Sequence, residues 1–245
     1  MIMSALQEKL NKIVDEATEK LKKVALELVQ ALPAASEAVP ILHDFILLDR
    51  SGSMVNKWIE ALTSINVYVQ ELAKKEETKG TKITIAVFDS QGFDVVRNGV
   101  SVLECNPITD NEAYPRGMTP LYDSVVKLVA LAEKKNPTNS CIVVMTDGLE
   151  NASREASKET AKISLDRCRA KTWQVIFLGA DFNNMQQGLD LGNMAGQTMS
   201  VNSVNLNQTM RGTASMRTKY AASGQSMSYS SKDKEEALKT NNWQK

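Results

Sequence analysis

A single histidine, His43, stands in this chain of 245 residues, and that scarcity removes much of enzymology. Ser-His-Asp and Cys-His catalysis, multi-histidine zinc sites and clustered-histidine pH switches would all have to rest on it. His43 lies inside an apolar run, where a satisfied core histidine is the expected state. Cysteine is nearly as sparse: Cys105, Cys141 and Cys168 are far apart, odd in number, and form no CxxC pair. Two of them fall in apolar or helical patterns, as buried free thiols do, which points to a reducing compartment. Net charge is absent, 29 basic residues cancelling 29 acidic ones, so a general nucleic-acid binder is not expected. No stretch approaches the ~18 consecutive apolar residues of a membrane span. The opening MIMSALQEKLNKIVDE interrupts its apolar positions with charge too often for a signal-peptide core. A cytoplasmic location with no membrane association is the expectation.

What is present reads as an appendage, a core and a tail. Leu6, Leu10, Ile13, Ala17, Leu21, Val24 and Leu28 recur at steps of four and three, predicting an amphipathic helix over residues 4–31. Such a helix packs on its parent domain or offers a face for self-association or another partner. Residues 1–33 form this appendage, and Pro33 and Pro40 bracket a linker at 34–40. The core is expected over 41–222 and a polar, loose tail over 223–245.

Within the core, dense apolar runs alternate with helical spacing. ILHDFILLD (41–49), KITIAVFD (82–89), SCIVVMTD (140–147) and WQVIFLGA (173–180) read as strands buried on both faces. FDVVRNGVSVLE (93–104) reads as an antiparallel edge strand, with Asn98-Gly99 as a turn or bulge. Residues 198–201 could close the sheet. Helices are predicted over 54–75, 120–135, 154–170 and, more weakly, 204–222. Alternation of this kind implies an α/β fold, doubly wound, with a mostly parallel sheet and helices on both faces.

In such sheets ligands bind beyond the C-terminal strand ends, where strand order reverses. The first run ends in Asp49-Arg50-Ser51-Gly52-Ser53, and a later one in Asp147-Gly148. Between them Gly117-Met118-Thr119-Pro120 opens a helix; by itself this is also a good helix start, with Thr119 as N-cap. Asp49, Ser51 and Ser53 at i, i+2, i+4 aim to one side of an extended loop. They are hard oxygen donors, suited to Mg²⁺ or Mn²⁺ and poorly suited to zinc or copper. Thr119 and Asp147 add two more oxygens and leave a corner of the octahedron for water or a partner's group. Asp123, one helical turn after Thr119, is a candidate to orient a metal-bound water, or a carboxylate on the helix dipole. Ser90, Glu150 and Asn151 also fall near strand ends, and Arg50 reads as a solvated rim residue.

Asp-x-Ser-x-Ser at a strand end, Thr in Gly-x-Thr-Pro and Asp in Thr-Asp-Gly together resemble a von Willebrand factor A (vWA) domain. All five positions of that family's metal-ion-dependent adhesion site (MIDAS) are matched: Asp49, Ser51, Ser53, Thr119 and Asp147. The likeness covers residues 41 to about 201 by its pattern of elements, and phrases such as TDGLENAS are similar to those of small standalone bacterial and phage proteins. It implies a six-stranded sheet of order 3-2-1-4-5-6 with strand 3 antiparallel. It also implies a mode of action, in which an acidic residue of a partner protein completes the coordination of the bound ion.

The electrostatics point the same way. Two helix N-termini facing the crevice favour an anion, so the cation is left to Asp49 and Asp147, while hydroxyl ligands leave it electrophilic. A metal-dependent protein-binding module is therefore expected, acting on a partner that presents Asp or Glu, and not an enzyme. Two other readings remain. One is a structural or assembly subunit that binds through its N-terminal helix. The other is a Mg²⁺-dependent phosphohydrolase using Asp49 as nucleophile; Ser51 stands where such enzymes carry a second Asp, and no GxxxxGK[ST] occurs.

Overall fold

The computed structural model describes residues 11, 12, 14–24, 40–179 and 182–240. The chain divides into two compact units, Met1–Val39 and Pro40–Lys245. In the first, residues 11, 12 and 14–24 are helical and exposed. The rest of the helix expected over 4–31, and the linker at 34–39, lie outside the described residues.

The second unit is built on six strands: β1 (His43–Asp49), β2 (Lys82–Asp89), β3 (Gly92–Ser101), β4 (Cys141–Thr146), β5 (Gln174–Gly179) and β6 (Thr198–Ser200). Their order is β3-β2-β1-β4-β5-β6. Every pairing is parallel except β2 with β3. β1 is central, with Ile46 opposite Ile85 on one side and Val143 on the other. All seven of its residues are buried, which is why its sequence shows no alternation of apolar and polar residues.

Successive β1 side chains feed two cores. Ile46 and Leu48 pack with Val87, Val143 and Met145 against α1 (Trp58–Ala73) and α5 (Leu206–Ser223). Phe45 and Leu47 pack with Phe88, Val144 and Phe177 against α2 (Leu121–Lys135) and α3 (Lys158–Ala170). Each fully buried leucine or isoleucine contributes about 1.5–3 kcal/mol, so the two layers hold the strand ends in fixed register. Cys141 and Cys168 are buried free thiols, as expected.

β3 confirms the bulge at Asn98-Gly99. Its register against β2 slips between Ile83 and Thr84, and Gly99 takes the extra place at φ +69. That left-handed backbone is open to glycine at no steric cost.

Two elements differ from the sequence reading. A short helix, α4 (Phe182–Asp190), follows β5. The segment read as a loose tail carries α6 (Ser231–Leu238), closed at its start by a capping box between Ser230 and Asp233. Met227, Tyr229 and Ala237 from this segment are buried in the core on the α5 side.

Candidate metal centre

The loops after β1 and β4 meet at the point where strand order reverses, since β2 leaves β1 on one side and β4 on the other. Asp49 is the last residue of β1 and is fully buried. Its Oδ1 accepts the Ser51 backbone N–H at 2.6 Å, and its Oδ2 accepts the Thr146 hydroxyl at 2.6 Å. Burial pushes the Asp49 carboxyl up from its ordinary value, against hydrogen bonds from Thr146, Ser51 and Gly148 that pull it down. No cationic side chain among the described residues pairs with it. A buried carboxylate in that state lacks its countercharge.

Gly148 locates where the donors converge. A Cβ placed on it would stand 2.3 Å from Thr119 Oγ1, 3.1 Å from Asp49 Oδ2 and 3.2 Å from Ser51 Oγ. Three oxygens, two from the end of β1 and one from the loop before α2, therefore surround one small cradle that glycine leaves open. Ser53 joins through its hydroxyl, 3.1 Å from that of Ser51. Among the described residues no group of three His, Cys, Asp or Glu is placed to hold a metal. The donors are one buried carboxylate with hydroxyls, the hard-oxygen chemistry that Mg²⁺ and Mn²⁺ accept.

Asp147, next to Gly148 in the chain, has a different neighbour from those expected. Lys57 Nζ donates to its Oδ2 at 2.5 Å, with the two side chains 32 % and 12 % exposed.

The loops are fixed to one another by backbone. Gly52 N–H donates to the Gly117 carbonyl at 3.1 Å and Arg116 N–H to the Arg50 carbonyl at 2.7 Å. Met118 N–H donates to Ser90 Oγ at 2.9 Å, and Ser90 N–H to the Met118 carbonyl at 2.9 Å. Thr119 does not cap its helix; Pro120 holds the N-cap position and the Thr119 side chain is left to the cradle. Glu150 accepts from Tyr122, Ala152 and Ser153 and so folds the loop that carries Asn151. Ser90, Glu150 and Asn151 thus shape the site rather than line an ordinary loop.

Asp123 turns away from the cradle. Its carboxylate accepts the backbone N–H groups of Arg154, Glu155 and Ala156 at 2.9, 3.0 and 2.7 Å. Arg50, read as a solvated rim residue, is buried instead. Its Nε donates to Asp89 Oδ2 at 2.6 Å and its other arm to Asp94, while Arg116 Nε reaches the same Asp89 oxygen at 2.8 Å. Desolvation would raise the Asp89 carboxyl, but the bonds from Arg116, Gln91 and Arg50 outweigh it and hold the group below its ordinary value. His43 is at the opposite end of β1, about 20 Å from Asp49 at strand rise. It stacks on Phe45 at 4.3 Å and meets the Thr84 hydroxyl at 2.8 Å.

No family model and no curated protein sequence matches this chain. Solved structures do. The pilus adhesin SpaC from Lactobacillus rhamnosus GG, in its open conformation, superposes with a TM-score of 0.62 at 11 % identity, over 75 % of this chain and 30 % of that one. The vWF domain of the type V pili tip protein Mfa5 from Porphyromonas gingivalis gives 0.57 at 13 % identity, over 73 % of this chain and 95 % of that domain. The PilB minor pilin from Streptococcus sanguinis gives 0.51 at 12 % identity, over 75 % and 63 %. The chain thus spans about a third of SpaC and nearly all of the Mfa5 domain. Likeness at this level of identity speaks to architecture, and the architecture is a vWA-like α/β fold.

Proposed function

We propose that this chain is a non-catalytic protein-binding module whose Mg²⁺ or Mn²⁺ ion is held by Asp49, Ser51, Ser53, Thr119 and Asp147. An Asp or Glu of a partner protein completes the ion's coordination. The observation that carries this reading is the convergence of Thr119, Asp49 and Ser51 oxygens on the cradle over Gly148. The buried Asp49 without a cationic partner supports it, because a divalent ion supplies the missing charge. When bound, the ion supplies an electrophilic corner for a carboxylate. The chain's own residues orient the donors and exclude water from Asp49.

The surround suits a protein partner. Val55, Met118 and Leu149 are exposed at 59, 51 and 48 %, each within two residues of a donor. An apolar collar around a charged centre is the arrangement of an interface hot spot and its water-excluding rim. Catalysis is not favoured, since Ser51 replaces a second carboxylate and the sole histidine lies at the other strand end. The buried free thiols Cys141 and Cys168 accord with a cytoplasmic setting.

The test is Mn²⁺ titration of the full chain by calorimetry, followed by an acidic peptide with and without chelator. Wild type should bind Mn²⁺ and then the peptide; Asp49→Asn should bind neither, and Thr119→Ser should bind better than Thr119→Ala. Peptide binding undiminished by EDTA overturns the proposal. An assembly role for residues 4–31 rests on a separate observation: Val14, Leu21 and Val24 are exposed at 55, 71 and 50 % on a helical segment. Deleting residues 1–33 should then lower the oligomeric state in light scattering, while leaving Mn²⁺ binding unchanged.

A further inference from the structure

Lys57 ends the 3₁₀ turn Gly52–Lys57, which also carries Ser53, and reaches Asp147 across the crevice. It is the one cationic side chain among the described residues that pairs with any of the five proposed donors. Lys57 and Asp147 also line a narrow cleft with Met54, Met145, Leu178 and Leu206. Apolar walls there limit the water that would otherwise compete for the pair, and they cover the aliphatic stem of the lysine.

Resting on the metal-binding reading above, we propose that Lys57 is the specificity-determining residue of the centre. Its ammonium is the countercharge that Asp147 holds before an ion enters, and it must leave that carboxylate for Asp147 to join the coordination. The exchange discriminates by charge. A monovalent cation offers Asp147 the same single charge as the ammonium, must shed its own hydration, and competes with a group already tethered at the spot. A divalent cation offers twice the charge to both Asp49 and Asp147 at once. Lys57 thus keeps the site closed to Na⁺ and K⁺ while lowering its affinity for the divalent ion. Because the turn anchors its backbone beside Ser53, the displaced ammonium remains at the rim of the crevice.

Mn²⁺ titration of the full chain, wild type against Lys57→Gln and Lys57→Arg, tests this. Lys57→Gln should bind Mn²⁺ about tenfold more tightly, the scale of losing one close like-charge contact, and NaCl should displace Mn²⁺ from it more readily than from wild type. Lys57→Arg should restore wild-type affinity. An unchanged or weaker Mn²⁺ affinity in a Lys57→Gln protein with native circular dichroism overturns the exchange and leaves the metal centre standing. Absence of Mn²⁺ binding in wild type and variant alike overturns the metal reading and this inference with it. A second measurement needs no variant: the ¹⁵Nζ resonance of Lys57 should shift when wild type is saturated with Mg²⁺. A bound Mg²⁺ that leaves that resonance unmoved overturns the exchange.

Discussion

Thr119 and Asn151 hold each other by a reciprocal pair of bonds. The Thr119 backbone N–H donates to Asn151 Oδ1 at 2.9 Å, and the Asn151 N–H donates to the Thr119 carbonyl at 3.1 Å. Asn151 therefore sets where the Thr119 hydroxyl points without touching the cradle itself. Asn151→Ala should weaken Mn²⁺ binding about tenfold, as loss of a group that orients a ligand does. The same change should cost about 1 kcal/mol of stability. Calorimetry and urea denaturation separate the two effects, and a stability loss with unaltered Mn²⁺ affinity would remove Asn151 from the positioning role.

Gly148→Ala adds one methyl where Thr119 Oγ1 stands 2.3 Å away. Thr119 has to move, because Asp49 and Ser51 crowd the other sides at 3.1 and 3.2 Å. The expected outcome is loss of measurable Mn²⁺ binding together with a destabilisation of about 1–3 kcal/mol, the range for overpacking.

At the other end of β1, Arg217 from α5 reaches Asp44 with its Nε at 2.8 and 2.9 Å from the two carboxylate oxygens, both side chains fully buried. Asp44 also accepts the Tyr68 hydroxyl and the Cys141 N–H, while both terminal nitrogens of Arg217 are without a hydrogen-bond partner. Arg217→Met alone strands a buried carboxylate and should cost about 3–5 kcal/mol. Asp44→Asn with Arg217→Met should recover most of that, since Asn still accepts from Cys141 and no charge remains. Urea denaturation of the singles and the double completes the cycle.

His43 makes stability depend on pH with one sign. Thr84 Oγ1 accepts the Gly99 N–H at 3.0 Å and lies 2.8 Å from His43 Nε2, so the ring is held inside the sheet. Burial, with the nearby charges of Lys135 and Lys82, lowers its pKa from 6.5 to about 4. Between those values the unfolded chain binds a proton that the folded chain refuses. This contribution is complete above pH 6.5 and is lost as pH falls towards 4, an expected change of about 3 kcal/mol. Comparing wild type with His43→Asn over that window isolates it, and parallel profiles would contradict it.

The sheet was readable in the sequence because β1, β2, β4 and β5 are dense apolar runs of fitting length, and Asn98-Gly99 marked the bulge in its edge strand. Helix α4, FNNMQQGLD, has too few apolar positions to show a period. The last segment was hidden for a related reason: polar groups hold it. Asn205 Nδ2 donates to the carbonyls of Ala237 and Lys239, and Lys234 Nζ to that of Ala195. The convergence of Asp49, Ser51 and Thr119 could be anticipated from strand ends and hydroxyl spacing. The grip of Lys57 on Asp147 could not, because it joins positions 90 residues apart. Nor could the burial of Arg50, whose acidic partners come from β2 and β3.

Both margins of the sheet are poor templates for another strand. β6 has only three residues, and the chain beyond it is engaged by α6, with Asn202 N–H donating to the Ala237 carbonyl at 3.0 Å. β3 is interrupted by its bulge and bears Asp94 and Arg97. Charged, kinked or covered borders of this kind discourage lateral annealing of one molecule onto the next. Polymer growth by donated backbone is thus disfavoured for this domain at either border.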